Sequence, residues 1–187
     1  MKIFTQDNIG FIELIDKMGT DLDVVNAARV SFNKEHTIFD INQDTKLIEY
    51  LAKNNHFTPF TQTAIKFRIK MPIFVCRQYY KHTIGLTRNE ISRRYVNYIP
   101  ELYSPSFLRK SSIKIKQGSS DEIIYNNDDL IDDINKHNQN SLLLYNKLVD
   151  NNVCNEQARI ILTQGMYTEF IETGNISSYF RIYSLRN

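Results

Sequence analysis

Cysteine is scarce in this sequence: Cys76 and Cys154 are the only two in 187 residues. Two thiols cannot build a disulfide framework, so each reads as a reduced side chain. Histidine is nearly as sparse. His36, His56, His82 and His137 are scattered, with no Cys or His cluster at zinc spacing, and no metal site is expected. No apolar run approaches the ~20 residues that span a bilayer, and Met1 to Gly10 lacks the basic start and apolar stretch of a secretion signal. A cytoplasmic protein with no membrane partner is therefore expected. A large charge of one sign is also missing, since the net charge is only +2.

The residues that are present are those of a globular protein: 42% hydrophobic and 24% charged, at a length that suits one domain over residues 1–187. The small net charge conceals a strong asymmetry. Ala64 to Tyr95 holds eight Lys or Arg against one Glu, so that segment is +7 while the rest of the chain is −5. One concentrated basic site is the expectation.

Periodicity outlines the elements. "MKIFT" can form a short strand. "DLDVVNAARVSF" carries a capping aspartate and apolar Leu22, Val25, Ala28 and Val30, which predicts a helix ending near Ser31. "DTKLIEYLAKNN" predicts a second, with Leu47, Ile48 and Leu51 on one face. In "HFTPFTQ", Pro59 disfavours helix at Thr58 and predicts a turn. "AIKFRIKM" alternates strictly and predicts a strand. Pro72 then opens a helix through "IFVCRQYYKH", broken by Gly85. "LTRNEISRRY" and the stretch from Pro100 to Asn127 read as loops. A long helix is expected from Asp128 to Asp150, with Leu130, Ile131, Ile134, Leu142, Leu143 and Leu148 as its core stripe. Asn155 caps "EQARIILTQG", "YTEFIET" is strand-like, and "ISSYFRIYSL" is a last helix. Helices with few strands give an α/β or α+β class, with a small, mostly antiparallel sheet flanked by helices.

The basic segment carries the candidate chemistry. Gln78, Lys81 and His82 fall three and four apart and share a helix face. Arg94 suits bidentate phosphate binding, Ser92 can donate to a phosphate oxygen, and the amides of Ile91 to Arg94 can form an anion nest. Asn89 and Glu90 can read a base edge or a ribose hydroxyl. The plainer reading is a solvated basic surface, with Glu90 as an incidental partner. Taken singly, His82, Arg159 and Arg186 read as ordinary structural or surface residues. Cys76 reads as a small buried apolar group, and Cys154 has no base nearby in sequence.

Eight stretches together carry a resemblance. They are "AARVSF" (Ala27 to Phe32), "HFTPFTQ" (His56 to Gln62), "FVCRQYYKH" (Phe74 to His82), "NEISRRYV" (Asn89 to Val96), "KQGS" (Lys116 to Ser119), "EQARIIL" (Glu156 to Leu162), "YTEF" (Tyr167 to Phe170) and "GNISSYFRIYSLR" (Gly174 to Arg186). In this order the chain resembles the flavin-dependent thymidylate synthases, which methylate dUMP without a catalytic cysteine. The resemblance implies a homotetramer with active sites formed between subunits. It implies FAD as cofactor, with NADPH and methylenetetrahydrofolate as co-substrates. By position, Gln78, Lys81, Glu90, Ile91, Ser92, Arg93, Arg94 and Arg159 would hold dUMP, with Arg94 and Arg159 near its phosphate. Thr58, Lys81, His82, Thr83, Glu90, Asn175, Ser177 and Arg181 would contact FAD. Arg186 matches the arginine that the family sets against the uracil ring, and is the expected catalytic residue.

The implied chemistry is physically coherent. C5 of uracil is a poor nucleophile, and a cysteine-dependent enzyme activates it by adding a thiolate at C6. A guanidinium that stabilises the N3-ionised ring removes the need for that thiolate. Departures from the family pattern bear on the flavin. The usual Arg-His-Arg, seven residues, Ser becomes Lys81, His82, Thr83, then eight residues to Ser92. Thr61 stands where Glu is frequent, Ser177 where Arg is, and Arg181 where Asn or His is. Flavin binding is expected to be retained in an altered arrangement, with Arg88 and Arg181 as candidates to restore the lost charge. Members usually continue beyond the position of Arg186 through an Ala-Gln-x-Glu-Ile helix, so Arg186 is expected to be loosely held. Two other readings stay open: transfer of a hydroxymethyl group to a pyrimidine nucleotide, and a single-strand nucleic-acid platform stacking bases on Tyr79, Tyr80 and Tyr95. The enclosing character of Gln78, Asn89, Glu90 and Ser92 favours a nucleotide over nucleic acid.

Overall fold

The alternation of "AIKFRIKM" is realised as β3 (Ala64–Pro72), with Ile69 buried and Lys66 and Arg68 exposed. It is the middle strand of a five-stranded sheet in a computed structural model that describes residues 1–112 and 118–186. The other strands are β1 (Lys2–Phe4), β2 (Phe11–Met18), β4 (Leu86–Glu90) and β7 (Tyr167–Gly174), in the order β1-β2-β3-β7-β4. β1 with β2, β2 with β3 and β4 with β7 are antiparallel, and Arg88 lies directly across from Glu172. The expected α+β class, with a mostly antiparallel sheet and helices, is what the chain adopts.

The chain divides into two compact units. The first comprises Met1–Lys70, Arg77–Glu90 and the residues from Glu169 onward. It holds most of the sheet together with α1 (Asp21–Arg29), α2 (Gln43–Lys53) and α6 (Ile176–Arg186). Thr20, not the expected aspartate, is the N-cap of α1, and its amide donates to Asp23 at 2.6 Å. The Thr20 contacts hold the Asp23 carboxyl below the usual range. The link from α1 to α2 closes on the fully buried Asp44. Its carboxylate accepts from Arg29 at 2.5 Å and from the Asp40 amide at 2.9 Å, and it faces His36 Nδ1 at 3.1 Å. Burial alone would raise the Asp44 carboxyl, but the Asp40 amide, His36 and Arg29 together hold it low. Helix α6 meets β3 through an edge-to-face contact of Tyr179 with Phe67, centroids 5.2 Å apart.

The second unit comprises Met71–Cys76 and Ile91–Thr168. Its main element is α4 (Asp128–Asp150), with the bounds expected from sequence. The buried face differs from the leucine stripe, since Leu130 and Leu143 are exposed while Ser141 and Tyr145 are buried. Polar groups on that face tie down loops: Asn138 donates to the Tyr103 carbonyl at 3.1 Å, and Ser141 to the Ile161 carbonyl at 2.7 Å. A loop carrying backbone groups that need partners thus takes the place that leucines would otherwise fill.

Several loop expectations are corrected. "LTRNE" is the strand β4, because β7 supplies a ladder for a segment with no apolar alternation of its own. Pro100 to Asn127 contains a hairpin of β5 (Leu108–Ser111) and β6 (Ser119–Ile124). "HFTPFTQ" includes a 3₁₀ turn over Thr58–Gln62, where Pro59 is accepted near the start because its missing N–H is needed least there. Helix α3 (Ile73–Tyr79) stops before Lys81 and His82, whose amides close turns onto Gln78 and Tyr79. α5 (Asn155–Ala158) has Cys154, not Asn155, at its N-cap. Lys116 and Gln117 of "KQGS" lie outside the described residues. Among the described residues, no helix is long and apolar enough to cross a membrane.

Candidate active site

In the first unit, the residues matched to flavin contacts converge on the segment after α3 and on α6. Gly85 takes φ +67°, which favours glycine, and a Cβ there would lie 2.2 Å from Ser178 Oγ and 2.9 Å from Asn175 Nδ2. The Lys81–Gly85 turn can therefore seat its backbone on the start of α6. Asn175 initiates that helix, its Oδ1 accepting from the Ser178 amide and hydroxyl, both at 2.9 Å. The Thr58–Gln62 turn also lies against α6. Just beyond it, Thr63 Oγ1 accepts from the Ile176 amide at 3.1 Å. Thr58, Thr83, Asn175 and Ser177 are thus carried by elements that meet.

The far end of α6 also carries a contact. Arg186 Nε donates to His82 Nε2 at 3.2 Å, so the expected catalytic arginine and a flavin-matched histidine are neighbours. Lys81, Thr83 and Arg181 are exposed and Ser177 is half-buried, with Ser177 and Arg181 four apart on the helix. Two cations and two hydroxyls with this access suit the diphosphate of a dinucleotide such as FAD, and the donor set fits that group. Gln78 and Glu90 are exposed in the same unit.

Arg88 does not restore the charge lost at Thr83. Its Nε donates to the fully buried Glu172 at 2.5 Å, and its guanidinium lies 5.0 and 4.8 Å from the ring centroids of Tyr79 and Tyr80. The Tyr79 hydroxyl donates to the other Glu172 oxygen at 2.5 Å. Burial first, then the Glu172 contact and charge, push the Tyr79 hydroxyl far up, and burial with Glu172 does the same to Tyr179. Both tyrosines are neutral donors at any physiological pH. Tyr79 and Tyr80 also pack on Phe170. Their rings are committed, which removes two of the three expected stacking surfaces of a nucleic-acid platform.

In the second unit, Ser92 organises the segment matched to nucleotide binding. Its carbonyl accepts from the Tyr95 and Val96 amides, and its hydroxyl from the Arg94 amide at 3.3 Å. The Arg94 amide is therefore engaged and does not join an anion nest. Ile91 is half-buried. Arg93 turns inward: only 5% exposed, it donates to the Tyr98 carbonyl at 2.5 Å and lies 4.2 Å from that ring's centroid. Its guanidinium braces the turn, contrary to the direct nucleotide contact expected for it.

Arg94 and Arg159, widely separated in sequence, meet at Glu156. The Arg94 Nε is 3.7 Å from the Glu156 carboxylate, and Arg159 Nε donates to the Glu156 carbonyl at 3.3 Å. Both arginines are exposed. Glu156 and Glu172 are the site residues that sequence reasoning missed. Glu156 lies three before Arg159, a spacing that signals contact on a helical turn. Glu172 falls in register with Phe170 on the buried face of "YTEFIETG", where an acid requires a partner.

Comparisons with known proteins show the family. The family described as "Thymidylate synthase complementing protein" matches residues 13–187. A flavin-dependent thymidylate synthase of Thermosipho africanus is 38% identical over 180 residues, covering 95% of this chain and 77% of the relative. One of Thermotoga neapolitana is 38% identical over 186 residues, covering 100% of this chain and 80% of the relative. Among solved structures, a UMP/dUMP methylase from Streptomyces cacaoi, bound with 5-Br dUMP, superposes with a TM-score of 0.82 at 28% identity, covering 94% of this chain and 77% of that one. This chain belongs to the flavin-dependent thymidylate synthase family.

Proposed function

We propose that this chain is a cytosolic enzyme that methylates dUMP at C5 to give dTMP, with methylenetetrahydrofolate as carbon donor and NADPH as reductant. The observation that supports the reading is that Arg94 and Arg159, from separate motifs, both contact Glu156, one at its carboxylate and the other at its carbonyl, and we place the dUMP phosphate beside them. Ser92 adds a hydroxyl at that turn, and Ile91 and the backbone of Arg93 border it. In the first unit, Gln78, Lys81 and Glu90 are further proposed dUMP contacts. Arg186 serves as the catalytic residue, its guanidinium set against the uracil carbonyl edge to favour the N3-ionised ring. His82 orients it through their shared hydrogen bond.

Thr58, Lys81, His82, Thr83, Glu90, Asn175, Ser177 and Arg181 would hold FAD, with Lys81 and Arg181 facing its diphosphate. Bound FAD supplies hydride transfer, which side chains cannot perform. Cys76 is buried and fits no role as a nucleophile adding at C6. The 187 residues act as one functional domain within a homotetramer whose active sites are shared between subunits. Exposed Phe180, Tyr183 and Leu185 on α6 support an assembly that covers them, and light scattering after size exclusion would read its mass.

The test of function is anaerobic reduction of added FAD by NADPH with and without dUMP, followed by mass analysis of the nucleotide product. Protein-dependent bleaching altered by dUMP, with a product one methyl group heavier, is expected. A hydroxymethyl product would replace this reading by a related C5 transfer. Absence of bleaching despite dUMP binding would refute the flavin role.

A further inference from the structure

Glu172 has no part in the ligand contacts above, yet three elements that carry those contacts in the first unit converge on it. The residue is fully buried. One carboxylate oxygen accepts from Tyr79, the last residue of α3, two before Lys81. The other accepts from Arg88 on β4, two before Glu90. Tyr179, between Ser177 and Arg181 on α6, lies where burial and then the Glu172 charge raise its hydroxyl, which donates to the Ile65 carbonyl at 3.5 Å. One carboxylate thus anchors both ends of the 80–87 segment.

The charge arrangement indicates what depends on what. The Arg88 guanidinium is enclosed between the Tyr79 and Tyr80 rings, and its Nη2 is buried without a hydrogen-bond partner among the described residues. Glu172 supplies the compensating charge, as a buried cation requires. Apolar side chains of similar volume would stabilise such a site as well or better, so stability alone is a weak reason for an ion pair here. What an apolar cluster lacks is direction. Hydrogen bonds from two elements to one carboxylate fix their relative placement, whereas apolar contacts leave it free to slide.

We propose that Glu172 is a positioning residue that holds the Lys81–Thr83 segment, beside α6, in the arrangement that accepts the flavin. The proposal rests on the flavin reading given above. It is tested with Glu172→Gln, and with Tyr79→Phe, which keeps the ion pair and removes one hydrogen bond. FAD affinity is measured by flavin fluorescence, and histidine ring signals by NMR on the ligand-free protein, with His137 of the second unit as reference. Glu172→Gln is expected to raise the FAD Kd about tenfold, which corresponds to about 1.4 kcal/mol, and to move the His82 signal while His137 stays in place. Tyr79→Phe is expected to raise Kd about threefold and to move His82 in the same direction.

If Glu172→Gln does not fold, Tyr79→Phe decides alone. Wild-type protein that binds FAD, with a folded variant that binds equally well and leaves His82 unmoved, would overturn the positioning role and spare the flavin reading. Weakened binding in which His137 moves as much as His82 would overturn it too, since that marks general loosening. Wild-type protein that binds no FAD would overturn the flavin reading and the proposal with it.

Discussion

Replacing Arg94 by alanine separates ligand binding from folding. The Arg94–Glu156 pair is 3.7 Å apart, with both side chains more than half exposed. An exposed pair of this kind contributes about 0–1 kcal/mol to stability, so Arg94→Ala is expected to lower Tm by no more than about 2–4 °C. A charge-assisted hydrogen bond to a ligand phosphate is worth about 1.5–3 kcal/mol. Its loss therefore raises the dUMP Kd roughly 10- to 150-fold. Calorimetric titration at fixed salt reads this directly, with deoxyuridine as the control lacking the phosphate. The ratio of deoxyuridine to dUMP affinity is the decisive quantity, because it cancels any general damage to the base pocket. Arg94→Lys, which keeps the charge but loses the planar fork, is expected to fall between wild type and alanine. A folded Arg94→Ala protein whose dUMP Kd moves less than about threefold would refute the placement of the phosphate. So would an equal loss of affinity for both ligands.

Gly85→Ala places a Cβ 2.2 Å from Ser178 Oγ at a φ of +67°, and is expected to cost about 1–3 kcal/mol in thermal unfolding while weakening FAD binding. An unchanged Tm and FAD Kd would show that the Lys81–Gly85 turn does not need this close approach. Replacing Cys76 by alanine and Cys154 by serine together is expected to leave at least about half of the turnover, since the volume change at Cys76 is small; abolished turnover in the folded double variant would restore a thiol mechanism. The Asp44 carboxyl is depressed in the folded protein, so its contribution is complete above the unfolded carboxylate range, near pH 4, and is lost as pH falls through the folded value. Asp44→Asn is expected to lower Tm at neutral pH, with the deficit shrinking as pH drops below about 4. A deficit that stays constant over that range would assign the loss to packing, not charge.

The sequence by itself determined the elements whose signals are local. The alternation of "AIKFRIKM" needs no partner to be read, because the two faces of a strand meet different media. Helix α4 was legible from end to end because its length and periodicity span many turns. The basic residues concentrated between Ala64 and Tyr95 were legible as a local charge asymmetry, because charge can be counted without a fold.

Tertiary structure decided the rest, wherever a residue's role depends on what lies across from it. "LTRNE" has no period of its own and is a strand only because β7 pairs with it. β2 hid its alternation behind a register shift between Leu14 and Asp16. The roles of the arginines diverged in the same way. Arg88 and Arg93 became internal braces and Arg94 stayed exposed, although their side chains are chemically identical. A guanidinium is held inward when a carboxylate or carbonyl awaits it inside, and stays at the surface when its partner, as with Arg94 and Glu156, is itself exposed. Glu172, Tyr98 and Glu156 made that choice, from positions that only folding brings near.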